Sequence, residues 1–366
     1  MRFSFTEEQL VLRDAVTAVL ADWCTPGDLH ELYANDAPDA GRSHPRWNAL
    51  FDLGITALHI PEVDGGLGLD DRELIAISEA AGRVALPEPL SETAGVVVPI
   101  LVASGAGHHA LEPFLDGGGA ATLGGVTFTP SGPRIASVAD GHRVRTSGIT
   151  QATASHHLLA VSSASGPELH LAVTADGDLT RTTSLDRTRR LGTLTWTPTD
   201  ATRLATGPLA ATLLDQAVNR AALYSAAELL GLCDAMITLT AVYVSERKQF
   251  GVPVGSFQAV KHHLAGARVK LEFARPAVYA AAWSLATEHP SATHDISLAK
   301  SLASDAADEA ARVSLQCHGA IGYTFEHDLH LLMKRAWALS AAWGDARSHR
   351  ARLLNLLQAE RSVLPS

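Results

Sequence analysis

One proline-free stretch most strongly constrains how this chain can fold. Residues 209–246 contain no proline and one glycine, Gly231. A helix over this range would be a rod of roughly 55–60 Å at 1.5 Å per residue. A helix of that length is typical of a bundle of long helices, and further helical patterns follow it along the chain.

Three more helices are predicted after the rod. One begins near Ser256-Phe257 with Ser256 as its cap, and Pro276 should kink or split it. Another covers about 292–317, and the last covers about 345–362. The C-terminal part of the chain is therefore predicted to be entirely helical.

The residues before the long helix show helical patterns first and strand patterns after them. The chain starts with the helical pattern "FTEEQLVLRDAVTAVLADW" behind a Thr6 cap. Further helical patterns lie at 45–53, 70–84 and 93–103. From about 119 to 205, short alternating runs such as "ELHLAVTA" are typical of strands bounded by turns.

This order predicts an α+β fold with three domains. They are an N-terminal helical domain (1–115), a small middle β domain (116–205) and a C-terminal helical bundle (206–366).

Composition narrows the classes of partner. A net charge of -10 with 19% charged residues argues against nucleic acid or an anionic membrane as the main partner. Cys24, Cys233 and Cys317 lack CxxC spacing, which is typical of free thiols in a reducing cytoplasm. The start "MRFSFTEEQL" has no signal-peptide pattern, and we expect no apolar run long enough to span a bilayer. A cytoplasmic location is therefore expected.

Two C-terminal motifs are more specific than any other part of the sequence. They are "SERKQFGVPVGSFQAVKHHLA" (245–265) and "QCHGAIGYTFEHDLHLLMKRA" (316–336). Together they resemble the C-terminal signatures of the flavin-dependent acyl-CoA dehydrogenase family. "FTEEQ", "LGITALHIPEVDGGLGL" (53–69) and "EAAGRVALPEPL" (79–90) are similar to that family too. The resemblance implies an N-terminal helical domain, a central β-barrel-like domain and a C-terminal four-helix bundle, with FAD as cofactor.

The first motif has residue types suited to a dinucleotide. Gly251 and Pro253 should end the long helix, leaving Arg247 and Gln258 around one corner. An arginine fork suits a pyrophosphate, and a glutamine suits an adenine or ribose edge. The resemblance implies that Arg247, Phe250 and Gln258 bind the nucleotide end of FAD held by a neighbouring subunit.

The second motif adds Gln316 and a run of small residues. Gly319-Ala320, where the family usually has two glycines, would let the backbone approach a phosphate closely. His327 and His330 have a spacing that could suit a metal, but no third or fourth ligand lies nearby in sequence, so no metal is expected.

The family's reaction removes an α-proton from an acyl-CoA with a glutamate base. The resemblance implies two positions for that base, in the loop before the last helix and on the first bundle helix. Here they are Trp343 and Ala221, and neither can accept a proton. Acidic residues that could replace the base are Asp345 and Glu228, although Glu228 lies about 10 Å along the helix from Ala221.

The middle domain departs from the family pattern as well. Stretches 128–137 and 147–155 lack the glutamate and tryptophan that the family packs against the flavin. The chain thus resembles the base-lacking partner of two-gene (α2β2) acyl-CoA dehydrogenases, known for steroid side-chain CoA thioesters. An electron-transfer flavoprotein would accept the electrons.

Two other interpretations remain open at this stage. The chain could be a homotetrameric dehydrogenase that uses Asp345 or Glu228 as an unusual base. It could also be a non-catalytic scaffold or an acyl-CoA-binding relic, in which case no assembly of it would contain flavin.

Overall fold

The computed structural model describes residues 5–35, 44–116 and 118–363. The chain divides into two compact units. One is built from Glu31–Leu74 and Pro87–Tyr224, and the other from Met1–His30, Ile75–Leu86 and Ser225–Ser366. We call them the sheet unit and the bundle unit.

Helices dominate the chain up to the first strand. Their bounds are α1 Glu7–Trp23, α2 Pro26–Ala34, α3 His44–Asp52, α4 Asp71–Arg83, α5 Leu90–Glu92, a π-helical turn Thr93–Val97, α6 Val98–Ala103 and α7 His108–Leu115. The predicted Thr6 cap is confirmed, because its hydroxyl accepts from the Gln9 backbone and the Gln9 side chain accepts from the Thr6 backbone. The patterns at 45–53, 70–84 and 93–103 are helical in the structure.

The strands of the sheet unit form two four-stranded sheets and a separate hairpin. Their bounds are β1 Ala121–Gly124, β2 Val126–Thr129, β3 Gly132–Ile135, β4 Val138–Asp140, β5 Arg143–Ile149, β6 His156–Ser163, β7 Gly166–Val173, β8 Gly177–Arg181, β9 Gly192–Trp196 and β10 Arg203–Thr206. The sheet orders are β1-β6-β7-β10 and β4-β5-β9-β8, with β2 paired to β3. Only β1–β6 is parallel among these described pairs.

Both sheets contribute to one apolar core. Leu159 and Val161 of β6 pack with Ile149 of β5 and Trp196 of β9. The described strands therefore form two sheets packed around a shared core, which agrees with the expected small middle β domain; among the described residues these sheets do not close into a complete barrel.

The C-terminal part is mostly helical, with two elements that the sequence did not predict, a short hairpin after the long helix and a helix before the last one. Its elements are α8 Gly207–Glu246, a short hairpin β11 Lys248–Gln249 and β12 Val252–Pro253, α9 Gln258–Ala286, α10 Ala292–His318, α11 Leu329–Ala341 and α12 Ala346–Val363. α9, α11 and α12 all pack against α10. Pro276 does not split the helix, because α9 continues through that residue to Ala286.

Helix α8 is more apolar than the sequence-based expectation allowed. An 18-residue window of α8 has a mean hydropathy of 1.5, so length and composition alone would let it cross a membrane. Yet 61% of the window is buried inside the protein, which is the position of a core helix. Within the bundle unit, α8 and α4 cross closely. A Cβ on Gly231 would lie 2.0 Å from the Glu79 carbonyl oxygen.

A buried aspartate organises the sheet unit. Oδ1 of Asp71, at the start of α4, accepts hydrogen bonds from Arg220 Nη1 (2.6 Å), His59 Nε2 (3.2 Å) and the Tyr224 hydroxyl. Arg220 Nη1 also donates to the Gly95 carbonyl at 3.2 Å. Burial alone would raise the pKa of Asp71, but the charge of Arg220 and the hydrogen bonds from His59 and Tyr224 hold that pKa below its usual range. Asp71, His59, Arg220 and Tyr224 form what we call the Asp71 cluster.

Removing the charge of Asp71 should be costly. We expect Asp71→Asn to lower the unfolding free energy by about 3 kcal/mol, because the buried Arg220 loses its counter-charge. Asp70→Asn is the matched control, since Asp70 is partly exposed and Asn caps a helix as well as Asp does. Urea unfolding of the two variants would measure the difference, and equal costs would contradict the assigned importance of the cluster.

Candidate functional site

The two sequence motifs meet where α8 and α10 end. The ring of Tyr243, one turn before the end of α8, stacks on the ring of His318, the last residue of α10. The ring centroids are 4.4 Å apart with an interplanar angle of 18°. The Tyr243 hydroxyl also donates to the His318 carbonyl at 3.4 Å. This contact places Arg247 and Gly319 at neighbouring helix ends.

The first motif forms a tight hairpin after α8. β11 and β12 pair antiparallel, and Phe250 (φ 53°) and Gly251 (φ 80°) occupy its two central positions. Both positive φ values are those of a type I′ turn, in which a phenylalanine is strained. The Phe250 side chain is 92% exposed. The ring lies edge-on to Phe257, with centroids 6.2 Å apart, and most of its surface is open to solvent.

The helix after this hairpin begins later than predicted. Ser256 lies in a 3-10 turn, and its hydroxyl donates to the Pro253 carbonyl at 2.7 Å. α9 starts at Gln258 behind Phe257, which makes no side-chain cap hydrogen bond. The predicted Ser256 cap is therefore wrong, because the hydroxyl closes the preceding turn and is not directed at α9.

The second motif forms the loop after α10. Gly319 has φ 64° and opens a 3-10 turn over Gly319–Tyr323. Its backbone conformation is one that glycine adopts without strain. Gln316, Gly319 and Ala320 are all exposed.

The six predicted nucleotide contacts share one property. Each is exposed, and all belong to the bundle unit: Arg247, Phe250, Gln258, Gln316, Gly319 and Ala320. A guanidinium, an aromatic ring, two amides and a glycine backbone suit the pyrophosphate and adenosine part of FAD. These residues fit a cofactor approached from outside this chain, and their role stays a prediction.

At the first expected base position, a buried tryptophan ring occupies the loop, and hydrogen bonds fix the backbone in and before it. Trp343 is 8% exposed with φ 57°. Its carbonyl accepts from Nε2 of the buried His349 at 3.0 Å, and burial lowers the pKa of His349 to about 3. Before the loop, Lys300 Nζ donates to the carbonyls of Leu339 (2.8 Å) and Ser340 (3.1 Å) in the last turn of α11.

The remaining acid–base candidates lie in ordinary structural positions. Ala221 is 2% exposed on α8, and Glu228 lies on the same helix, partly buried. Asp345 is exposed, and its Oδ1 accepts from the Ser348 backbone at 2.7 Å as a cap of α12. Hydrogen bonds from Ser348 lower the pKa of Asp345. A general base for a weak carbon acid needs a raised pKa and a desolvated place, which Asp345 lacks.

The histidines of the second motif make ring contacts. His327 lies edge-on to His318 at 4.5 Å, and His330 lies edge-on to Phe325 at 5.2 Å. Within the described residues, no group of three or more His, Cys, Asp or Glu side chains could hold a metal ion. The sequence had drawn attention to His327 and His330 but not to Tyr243 or His318, whose contact depends on the packing of α8 on α10.

Comparison with known proteins places these features in a family. The sequence profile "Acyl-CoA dehydrogenase, N-terminal domain" matches residues 6–107, and "Acyl-CoA dehydrogenase, C-terminal domain" matches residues 211–355. Acyl-CoA dehydrogenase IpdE2 of Mycobacterium tuberculosis is 31% identical over 90% of this chain and 91% of its own length.

Solved structures share the whole fold. The ChsE4-ChsE5 complex from Mycobacterium tuberculosis includes a chain that superposes with a TM-score of 0.81 at 24% identity, covering 100% of both chains. A variant of the Tcur3481-Tcur3483 steroid ACAD gives a TM-score of 0.81 at 26% identity, covering 97% of this chain and 99% of that one.

The packing of Trp343 can be tested by its removal. We expect Trp343→Ala to lower the unfolding free energy by about 3 kcal/mol, because a buried ring would leave a cavity. Trp337→Ala is the matched control, since Trp337 on α11 is 38% exposed and should cost about 1 kcal/mol. Chemical denaturation of both variants would compare them. If Trp343→Ala lowered the unfolding free energy by no more than Trp337→Ala does, this would contradict the packing of the Trp343 ring inside the loop.

Proposed function

Because the chain belongs to the acyl-CoA dehydrogenase family, we propose that it is the non-catalytic subunit of a two-subunit acyl-CoA dehydrogenase. In this proposal it completes the FAD site of a partner that carries the catalytic glutamate, in an α2β2 assembly. The resemblance in the two motifs is confirmed at the level of the family. The family consists of FAD-dependent oxidoreductases, so the coarse activity and the cofactor are those expected from the sequence.

A single contrast carries the proposal. The six residues suited to the nucleotide end of FAD are exposed, whereas both expected base positions, Ala221 and Trp343, are buried and apolar. A self-sufficient enzyme would need a buried carboxylate beside the reacting carbons. A subunit that only reaches a neighbour's cofactor needs exposed contacts and no base, which is the combination present here.

Each exposed residue has a proposed task. The Arg247 guanidinium would pair with the pyrophosphate, and the Phe250 ring would pack against the nucleotide. The amides of Gln258 and Gln316 would bond polar edges of the adenosine, while the small residues Gly319 and Ala320 would allow close backbone approach. When bound, FAD supplies the hydride acceptor for the oxidation of the acyl chain.

The relatives support a paired assembly and a bulky substrate. Two of the solved structures are named for pairs of different gene products, ChsE4 with ChsE5 and Tcur3481 with Tcur3483, and the second pair is named as a steroid ACAD. We extend both points to this chain: a second acyl-CoA dehydrogenase subunit as partner and a bulky acyl-CoA, such as a steroid side-chain thioester, as substrate. An electron-transfer flavoprotein as acceptor and a cytoplasmic location belong to the same proposal.

Co-expression with a second acyl-CoA dehydrogenase subunit that carries the catalytic glutamate tests the assembly. We expect the pair to co-purify with flavin absorbance and to dehydrogenate an acyl-CoA, and the single chain to do neither. A single chain that purifies yellow and is active would contradict the proposal. Loss of that activity in Asp345→Asn or Glu228→Gln would then favour a homotetramer with an unusual base. An assembly without any flavin would favour the scaffold interpretation.

Arg247 provides the sharpest single-residue prediction. In the co-expressed complex, Arg247→Ala should weaken FAD binding about 10- to 100-fold, because charge-assisted hydrogen bonds contribute about 1.5–3 kcal/mol. Arg312→Ala is the matched control, since Arg312 is an exposed arginine on α10 that pairs with Glu309. Titration of the deflavinated complex with FAD measures both, and equal affinities for the two variants would remove Arg247 from the site.

A further inference from the structure

Three aromatic rings meet behind the exposed nucleotide contacts. Tyr243 and His318 are stacked at 4.4 Å, and His327 lies edge-on to both, at 6.0 Å from Tyr243 and 4.5 Å from His318. Ring pairs at these distances and angles are favourable beyond the apolar area they bury. We call these residues the ring triad.

The ring triad joins three separate pieces of chain. Tyr243, in the last turn of α8, is four residues before Arg247. His318, the last residue of α10, directly precedes Gly319. His327 follows the 3-10 turn Gly319–Tyr323, just before α11. Tyr243 therefore lies just before the exposed turn that follows α8. His318 and His327 lie at the two ends of the exposed loop.

His318 has a defined proton arrangement. It is 4% exposed, and its Nδ1 lies 2.8 Å from the Ser314 carbonyl, so that nitrogen carries the proton and donates. Burial lowers the pKa of His318, which favours the neutral ring. Its Nε2 is buried without a hydrogen-bond partner among the described residues. The ring is thus present for its flat surface, since only one of its two nitrogens is used.

His327 is oriented by its own backbone contact. Its Nδ1 accepts from the Leu329 backbone N–H at 3.2 Å, so the proton of the neutral ring lies on Nε2. This bond ties the ring to the first turn of α11, and the ring contacts the triad through its edge-on approaches to His318 and Tyr243.

We propose that Tyr243, His318 and His327 are positioning residues that hold the Arg247 turn and the Gly319 loop in one relative placement. The inference rests on the proposed function, because both segments are taken to contact the same FAD nucleotide. Each segment is exposed and contains left-handed backbone, at Phe250 and at Gly319. Without a fixed placement, binding would have to order both segments at once, and that ordering would weaken the affinity.

Variants at His318 separate the ring from its nitrogens. In the co-expressed complex, His318→Leu should weaken FAD binding about tenfold, because the stack is lost and both segments must be ordered on binding. His318→Phe keeps a flat ring and should restore most of the affinity. His108→Ala is the control, an exposed histidine on α7 far along the chain from either segment. FAD itself is the probe, titrated into the deflavinated complex.

Amide hydrogen exchange of the chain without cofactor gives a second readout. In His318→Leu the amides of 247–258 and 316–323 should exchange faster than in the native chain, and in His318→Phe they should stay close to native rates. His327→Ala, which removes a partly exposed ring of the triad, should accelerate the same segments. If His318→Leu does not fold, His327→Ala can be used for the same test.

The outcomes distinguish the two levels of proposal. A native complex that holds no FAD contradicts the proposed function, whatever the variants do. A native complex that binds FAD, together with His318→Leu and His327→Ala variants of unchanged affinity and exchange, overturns the positioning role. Weak binding by His318→Phe as well as by His318→Leu also overturns it, because a nitrogen of His318 and not its ring surface would then be required.

Discussion

The sheet unit depends on the hydrogen bonds and the charge pairing that the ionised carboxylate of Asp71 makes. It collects hydrogen bonds from His59, Arg220 and Tyr224, while Arg220 also reaches the Gly95 carbonyl in the π-helical turn. Apart from Arg220 and Tyr224, which both lie on α8, those groups come from separate segments of the chain. A buried guanidinium without a carboxylate would be strongly destabilising, so the charges must stay paired for α8 to keep its place in this unit.

The same part of α8 includes one of the two expected base positions. Ala221 directly follows Arg220 and is almost completely buried. The charge beside it in sequence, that of Arg220, is already committed to the Asp71 cluster. This stretch of helix is therefore buried core, and it carries no acidic residue at the expected base position.

Two residues with strained backbone differ in the exposure of their side chains. Phe250 and Trp343 are non-glycine residues with left-handed φ values. Phe250 directs an exposed ring away from the chain, whereas Trp343 is packed inside a loop held by His349 and Lys300. The bundle unit thus exposes one of these two rings and buries the other, a difference that is consistent with the proposed role as a subunit that completes a partner's site.

The sequence alone determined the α+β order, the Thr6 cap, the family and the absence of a carboxylate at positions 221 and 343, because these depend on local pattern or on residue identity. The domain boundaries at 115/116 and 205/206 stay predictions. The tertiary structure decided that two sheets share one core and that α9 passes through Pro276 without splitting. It also decided that Tyr243 meets His318 across 75 residues of sequence. No local pattern encodes such a contact, since it arises only when the apolar faces of α8 and α10 pack together.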